Sequence, residues 1–198
     1  SRARRGGNVT GRAILAAELA GKQLELLKGI VPKLGRLAVL ENTAEPGNAD
    51  AMRSTRQAAA ALGIDVHAYD VSDPARIESS FADAKRAGVD AVVVMSSPQV
   101  LFHRKRFAQA ADANRLATLY PYTGLVDAGG LIAYGVEIDD LFRRAAAYVD
   151  RLLKGAKAAD LPVELPSRFV LAVNVGAARR IGLTVPPDVL ARADSVVR

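Results

Sequence analysis

Two kinds of apolar pattern alternate along this chain. Residues 37–40 (LAVL), 91–95 (AVVVM) and 117–120 (ATLY) are short, mostly apolar runs that end abruptly at polar residues or proline, as strands covered on both faces do. Residues 64–68 alternate instead, with Ile64, Val66 and Ala68 on one side and polar neighbours on the other, the pattern of a half-covered strand. Between these runs the apolar residues fall at helical spacing. They do so over residues 48–62, then at Ile77, Phe81 and Ala84, and again over residues 100–114 with Leu101, Phe107 and Ala111 inward. Gly63 and Gly88 stand where the first two helices must end in a left-handed residue, and Asp73 before Pro74 is an N-cap with proline at the first helical position.

Strand and helix therefore alternate from residue 37 to residue 120 with short connections. That order predicts an α/β domain built on a doubly wound parallel sheet. Ahead of it, GGNVTG (residues 6–11) is a turn, and residues 12–30 carry Leu15, Leu19, Leu26 and Leu27 at helical spacing until Pro32 stops the helix. Asn8, Val9 and Thr10 match the N-glycosylation pattern, for which a plain turn is the simpler role. Beyond Pro121 the rhythm changes. Residues 124–130 read as a turn or short helix and 131–134 as a strand, and a helix capped by Asp139 or Asp140 runs to Leu153 and Gly155. A proline-bearing connection leads to a strand at 168–173, a short helix capped by Asn174, and a last one introduced by Pro186 and Pro187.

With 198 residues, half of them hydrophobic, the chain has enough apolar surface for a real core. None of its apolar runs approaches the roughly 20 residues that cross a bilayer. The formal charge of +6 and pI near 9.8 raise the question of nucleic acid, and the distribution answers it. Twenty of the 27 basic residues are arginines scattered over helices. They cluster only at Arg2, Arg4 and Arg5 and at His103, Arg104, Lys105 and Arg106, without interleaved aromatics, so no nucleic-acid surface is read. The chain has no cysteine, which excludes disulfides, thiolate nucleophiles and cysteine-bound metals.

Enzymatic signatures are sparse. Neither G-x-x-x-x-G-K-[ST] nor G-x-G-x-x-G after a strand occurs. Ser97 and His103 invite a hydrolase reading, but no G-x-S-x-G elbow frames the serine, and His67 lies on a strand's outer face. Asp70, Asp73, Asp139 and Asp140 stand before helices, where aspartate is first of all a cap. No metal site, cofactor or catalytic residue is expected. What remains lies where the strands end: Glu41, Asn42, Thr43, Asp70, Ser96, Ser97, Tyr120 and Tyr122. In a parallel sheet those ends share one edge, and ligands bind there. Uncharged hydrogen-bonding groups, tyrosines and helix N-termini suit a small polar or anionic ligand, so binding fits better than turnover.

Particular blocks carry a resemblance. GGNVTG (6–11), ELAGKQLELLKGIVP (18–32), RLAVLENTAEP (36–46), AGGLIAYG (128–135), DLFRRAAAYVDRLLKGAKAADLPVELPSRFVLAVN (140–174) and IGLTVPP (181–187) resemble the substrate-binding proteins of ABC transporters in the tryptophan/tyrosine-type uptake family. The resemblance implies a periplasmic-binding-protein type I-like fold, with two α/β lobes closing on a small solute without covalent chemistry. It further implies an ABC permease and its ATPase as partners, and a periplasmic or extracytoplasmic location. By the same resemblance the chain begins after most of a first lobe. Residues 1–35 are then an opening turn and helix near the hinge, 36–122 a complete lobe, and 123–198 a return crossing and the C-terminal part of the other lobe. Such a half lobe leaves apolar surface without a partner, so self-association is expected.

Carried over residue by residue, the family's asparagine after its first strand of this lobe falls on Asn42. Glu41 and Thr43 stand in place of the usual tryptophan and proline. Ser96 and Ser97 match the loop after the central strand, and Tyr134 with Gly135 match the Y-G at the return crossing. The expected ligand contacts are therefore Asn42, Thr43, Ser96, Ser97, Tyr120, Tyr122, Tyr134 and Gly135, for an amino acid or a related small carboxylate or amide. The rival reading is a ligand-sensing domain of the same fold in a regulatory protein. A helix-turn-helix encoded upstream would favour the rival, and an export signal there would favour transport.

Overall fold

The computed structural model describes residues 7–11, 16–166 and 168–198, the side chains of residues 16–18 excepted. Gly6, Leu15 and the basic cluster of Arg2, Arg4 and Arg5 lie outside the described residues. The chain divides into two compact units, one of residues 16–135 and 170–198, the other of residues 1–15 and 136–169.

The larger unit opens with α1 (Ala16–Ile30), followed by β1 (Arg36–Glu41), α2 (Pro46–Ala61) and β2 (Asp65–Asp70). A single 3-10 turn (Pro74–Arg76) leads into α3 (Ile77–Arg86), then β3 (Ala91–Val94), α4 (Pro98–Phe102), α5 (Arg104–Ala113), β4 (Ala117–Tyr120), α6 (Gly124–Asp127) and β5 (Ile132–Gly135). α7 (Ile138–Leu153) belongs to the smaller unit. The chain then returns through β6 (Val170–Asn174), α8 (Val175–Arg180), α9 (Pro187–Ala191) and β7 (Ser195–Val197).

Most of the punctuation acts as its chemistry requires. Gly63 and Gly88 end α2 and α3 with φ of +70° and +69°, a region that costs glycine little. The Asp73 carboxylate accepts from the Ala75 N–H at 2.9 Å, and the Asn174 amide oxygen caps α8 through the Ala177 N–H at 2.8 Å. Two expectations change. The helix expected over residues 100–114 breaks at His103 into α4 and α5. α7 begins after Glu137, so Asp139 and Asp140 occupy its first turn rather than its cap.

Among the described residues the seven strands form one sheet in the order β2-β1-β3-β4-β5-β6-β7. Neighbours pair in parallel except β5 with β6, which run antiparallel with Ile132 opposite Val173 and Gly135 opposite Val170. The period of two sorts each strand between two cores. Leu37, Val39, Ala91, Val93 and Leu119 join Leu24, Leu27, Met52 and Val189 on one face. Across the sheet Phe81 meets Phe107 edge to face at 6.4 Å, with Ile77 and Leu125 also buried in the unit.

The sheet corrects the expected division of the chain. β5, β6 and β7 continue it beyond residue 122, and α1 packs against α2 in its core. Residues 123–135 and 170–198 thus finish the larger unit. The smaller unit holds α7, a 3-10 turn (Ala158–Asp160) and the opening turn. There the Gly11 carbonyl accepts from the Glu164 N–H at 3.1 Å, and the Thr10 hydroxyl donates to the Leu161 carbonyl at 2.7 Å. The Tyr148 hydroxyl, on the buried side of α7, donates to the Pro162 carbonyl at 2.8 Å.

Candidate functional site

Strand order reverses at β1 and β3: the chain leaves β1 for β2 on one side and passes from β3 to β4 on the other. Adjacent parallel strands whose connections depart in opposite directions leave a crevice between their carboxyl ends, where ligands of such sheets bind. Asn42 and Thr43 follow β1, and Ser96 and Ser97 follow β3, so these four residues flank the switch point. Tyr122 follows β4 on the same edge, and Tyr134 and Gly135 close β5 there.

Asn42 is buried and organises the first loop. Its amide oxygen accepts from the Ala44 N–H at 3.0 Å, while its carbonyl accepts from the Asn48 side chain at 3.1 Å and the Glu45 N–H at 3.0 Å. The loop is thereby fixed against the start of α2, a 16-residue helix that has no side-chain cap and carries Pro46 in its first turn. A helix end of this kind offers backbone N–H groups and a positive dipole to an anion.

Thr43 is exposed and ties β1 to β2. Its N–H donates to Asp70 at 3.3 Å and to the Ser72 hydroxyl at 3.1 Å. Asp70 also accepts from the Ser72 N–H at 3.0 Å and from the Ser72 hydroxyl. The Ser72 hydroxyl, ahead of the backbone donors of Ser72 and Thr43, holds the Asp70 carboxyl below its ordinary range. Glu41 is shifted the opposite way by burial, with the nearby Asp70 charge adding to the rise and Arg56 opposing it. Gln99 completes the network by donating to the Ser72 carbonyl at 2.7 Å, which links the loops after β2 and β3. Gln99 and Ser72 were not anticipated, because only the folded sheet brings residues 27 positions apart into contact.

The Ser96 hydroxyl shares a hydrogen bond with the Tyr122 hydroxyl, so the loops after β3 and β4 are also joined. Burial raises the Tyr122 phenol, and the bond to Ser96 opposes the rise. Ser97 is buried at the head of α4 and His103 is the joint between α4 and α5. Among the described residues no hydrogen bond joins the two, so the serine–histidine pair considered from sequence is not assembled here.

Two expected contacts have another role. Tyr120 is wholly buried beneath the edge: its hydroxyl donates to the Phe107 carbonyl at 3.3 Å, and its ring lies where a Cβ on Gly130 would come within 2.5 Å. It is a core residue, and burial pushes its phenol up. Gly135 serves the backbone, because a Cβ there would sit 2.0 Å from the Pro121 carbonyl oxygen. Tyr134 is half-buried and packed against the core, with its carbonyl accepting from Gln23 at 3.0 Å. The structure thus groups Asn42, Thr43, Ser96, Ser97 and Tyr122 at the crevice, sets Tyr134 beside it and removes Tyr120 from it.

Comparison with known proteins gives the family of the chain. A family model described as "ABC transporter substrate binding protein" matches residues 1–197. A tyrosine-binding protein of Clostridioides difficile is 23% identical over 175 residues, covering 85% of this chain and 48% of the relative. The chain thus spans about half the length of that curated relative. The crystal structure of an ABC domain in complex with L-Trp from Streptococcus pneumonia covers 100% of this chain and 67% of its own, with 25% identity and a TM-score of 0.89. A conserved domain protein of Vibrio cholerae shares the fold at a TM-score of 0.83 and 24% identity, over 89% of this chain and 60% of its own. The reach of the family match, from the opening turn to the last strand, shows that this chain belongs to the ABC transporter substrate-binding protein family.

Proposed function

We propose that this chain supplies one binding lobe of an ABC importer's solute receptor, and that its ligand is an amino acid or a related small carboxylate or amide. The observation that carries the reading is the crevice edge at β1 and β3. It presents uncharged hydrogen-bonding groups, held in place by Asn42 and by the Ser96–Tyr122 pair, beside the uncapped start of α2. Such a surface binds a ligand carboxylate and polar atoms without reacting with them. The named ligands of the two relatives above, tyrosine and L-Trp, fall in this chemical class. An ABC permease and its ATPase are the partners of such a receptor, and its place of work is extracytoplasmic. Self-association through the smaller unit is part of the same proposal, on grounds of exposed apolar side chains given in the Discussion.

Isothermal calorimetry of the full-length protein against a panel of L-amino acids, with L-tyrosine and L-tryptophan included, tests the reading. Saturable one-to-one binding that weakens about tenfold in Ser96→Ala and in Tyr122→Phe is the expected result. No binding across the panel, or unchanged affinity in both variants, would sink it.

A further inference from the structure

The short segment after the crevice breaks three local rules at once. Phe102 ends α4 with 81% of its surface exposed, the largest exposure of any large hydrophobic residue in the larger unit. α5 begins two residues later with Arg104, Lys105 and Arg106, three cations at the positive end of a helix that has no acidic residue in its first turn. The helix also lacks a side-chain cap, since His103 occupies that position without making the bond. Each choice weakens the folded state, and such departures concentrate where a protein meets something else.

The three cations are not equivalent. Arg106 is tied down, donating to both Glu78 carboxylate oxygens at 2.7 Å and to the Pro74 carbonyl at 3.0 Å. It anchors the turn to the 3-10 segment and α3. Arg104 leans back to the Leu101 carbonyl at 3.3 Å and Lys105 is exposed. Among the described residues neither has a carboxylate within ion-pairing distance. An exposed ring flanked by two unpaired cations therefore rests on a braced turn, five residues beyond the crevice residue Ser97.

We propose that Phe102, Arg104 and Lys105 form the contact by which this lobe docks on an acidic protein surface that has an apolar recess for the ring. An aromatic anchor with an arginine near it is the composition of an interface centre, lysine belongs to the rim, and both cations steer approach to an acidic partner. One ring and two cations are too few to hold a protein on a lipid surface, which takes several basic residues or a second anchor. The inference rests on the receptor reading above, under which the acidic partner is the extracytoplasmic face of the permease.

The test uses the full-length receptor with its permease–ATPase complex in nanodiscs, and reads receptor-stimulated ATP hydrolysis in the presence of L-tyrosine. Phe102→Ser and the double variant Arg104→Glu with Lys105→Glu are expected to lower stimulation about tenfold. Their melting temperatures and calorimetric affinity for L-tyrosine should stay at parental values, and parental stimulation should fall with added salt. Parental stimulation by both variants overturns the docking proposal and leaves the receptor reading standing. Failure of the parent to stimulate with any L-amino acid of the calorimetric panel overturns both. Loss of co-sedimentation with phosphatidylglycerol–phosphatidylcholine vesicles in the same variants would reassign the contact to lipid and also overturn the proposal.

Discussion

Backbone proximity at Gly135 shows how one atom decides an edge. The residue ends β5 beside Pro121, and the 2.0 Å between a notional Cβ and the Pro121 oxygen cannot be relieved by rotating a side chain, because the obstacle is backbone. Gly135→Ala should therefore cost about 3 kcal/mol or more, read as a lower midpoint in urea at an unchanged m-value. Parental stability would show that Pro121 yields. Asp70 offers a test of opposite kind. Its folded-state pKa is depressed, so its bonds to Ser72 and Thr43 contribute stability above the ordinary carboxylate range and lose it as pH falls through the depressed value. Ser72→Ala removes the largest cause, and NMR titration of the Asp70 carboxyl should show its pKa rise. A carboxyl that titrates as before would mean that the backbone donors alone hold it.

Elements buried by local pattern were legible in the sequence, and elements defined by distant partners were not. β1, β3 and β4 announce themselves as apolar runs because both faces are covered by helices close in the chain. The crevice residues Asn42, Thr43, Ser96 and Ser97 follow from those run ends. β5 and β6 are also visible as strands, but their pairing with each other is not, because residues 136–169 lie between them and an antiparallel partner leaves no mark on a run of residues 170–173. The family resemblance placed them in the other lobe, whereas the sheet pairs them with β4 in this one. Tyr120 was misjudged for a related cause: the last residue of a strand points either to the edge or into the core, and only the bond to Phe107 decides.

The proposed self-association rests on the exposed apolar side chains of α7. Phe142, Val149, Leu152 and Leu153 are 68%, 54%, 37% and 84% exposed, and Phe142, Val149 and Leu153 follow one another at helical spacing on one stripe. Asp139 and Asp140 in the first turn and Arg151 in the last favour antiparallel pairing of two such helices. The 198-residue chain should therefore form dimers on the order of tens of micromolar by light scattering, and Phe142→Asp should return it to a monomer. A clean monomer in the parent would remove this role from the helix.

At the scale of the molecule, the sheet makes a claim about what folds alone. Gly135 and Val170 face each other across the antiparallel β5–β6 pair, and the smaller unit's residues 136–169 leave the sheet at the first and return at the second. Two strand ends so placed are the ends of a hairpin, which a turn of two to five residues such as one containing Asn-Gly closes without disturbing register. Replacing residues 136–169 by such a turn, in a chain starting at residue 16, keeps every strand of the seven-stranded sheet and the core between α1, α2, α8 and α9. This shortened chain should unfold in one cooperative transition, with coincident circular dichroism and fluorescence curves. Residues 36–122 alone, the lobe that the family resemblance implies, lack α1 and β5 to β7. Leu119 and Thr118 would then stand on an open edge, with Leu37 and Val39 uncovered by Leu24 and Leu27. That piece should bind hydrophobic dyes and melt without a sharp midpoint. The reverse outcome, a cooperative 36–122 and a molten shortened chain, would show that β5, β6 and β7 are held by residues 136–169 rather than by β4.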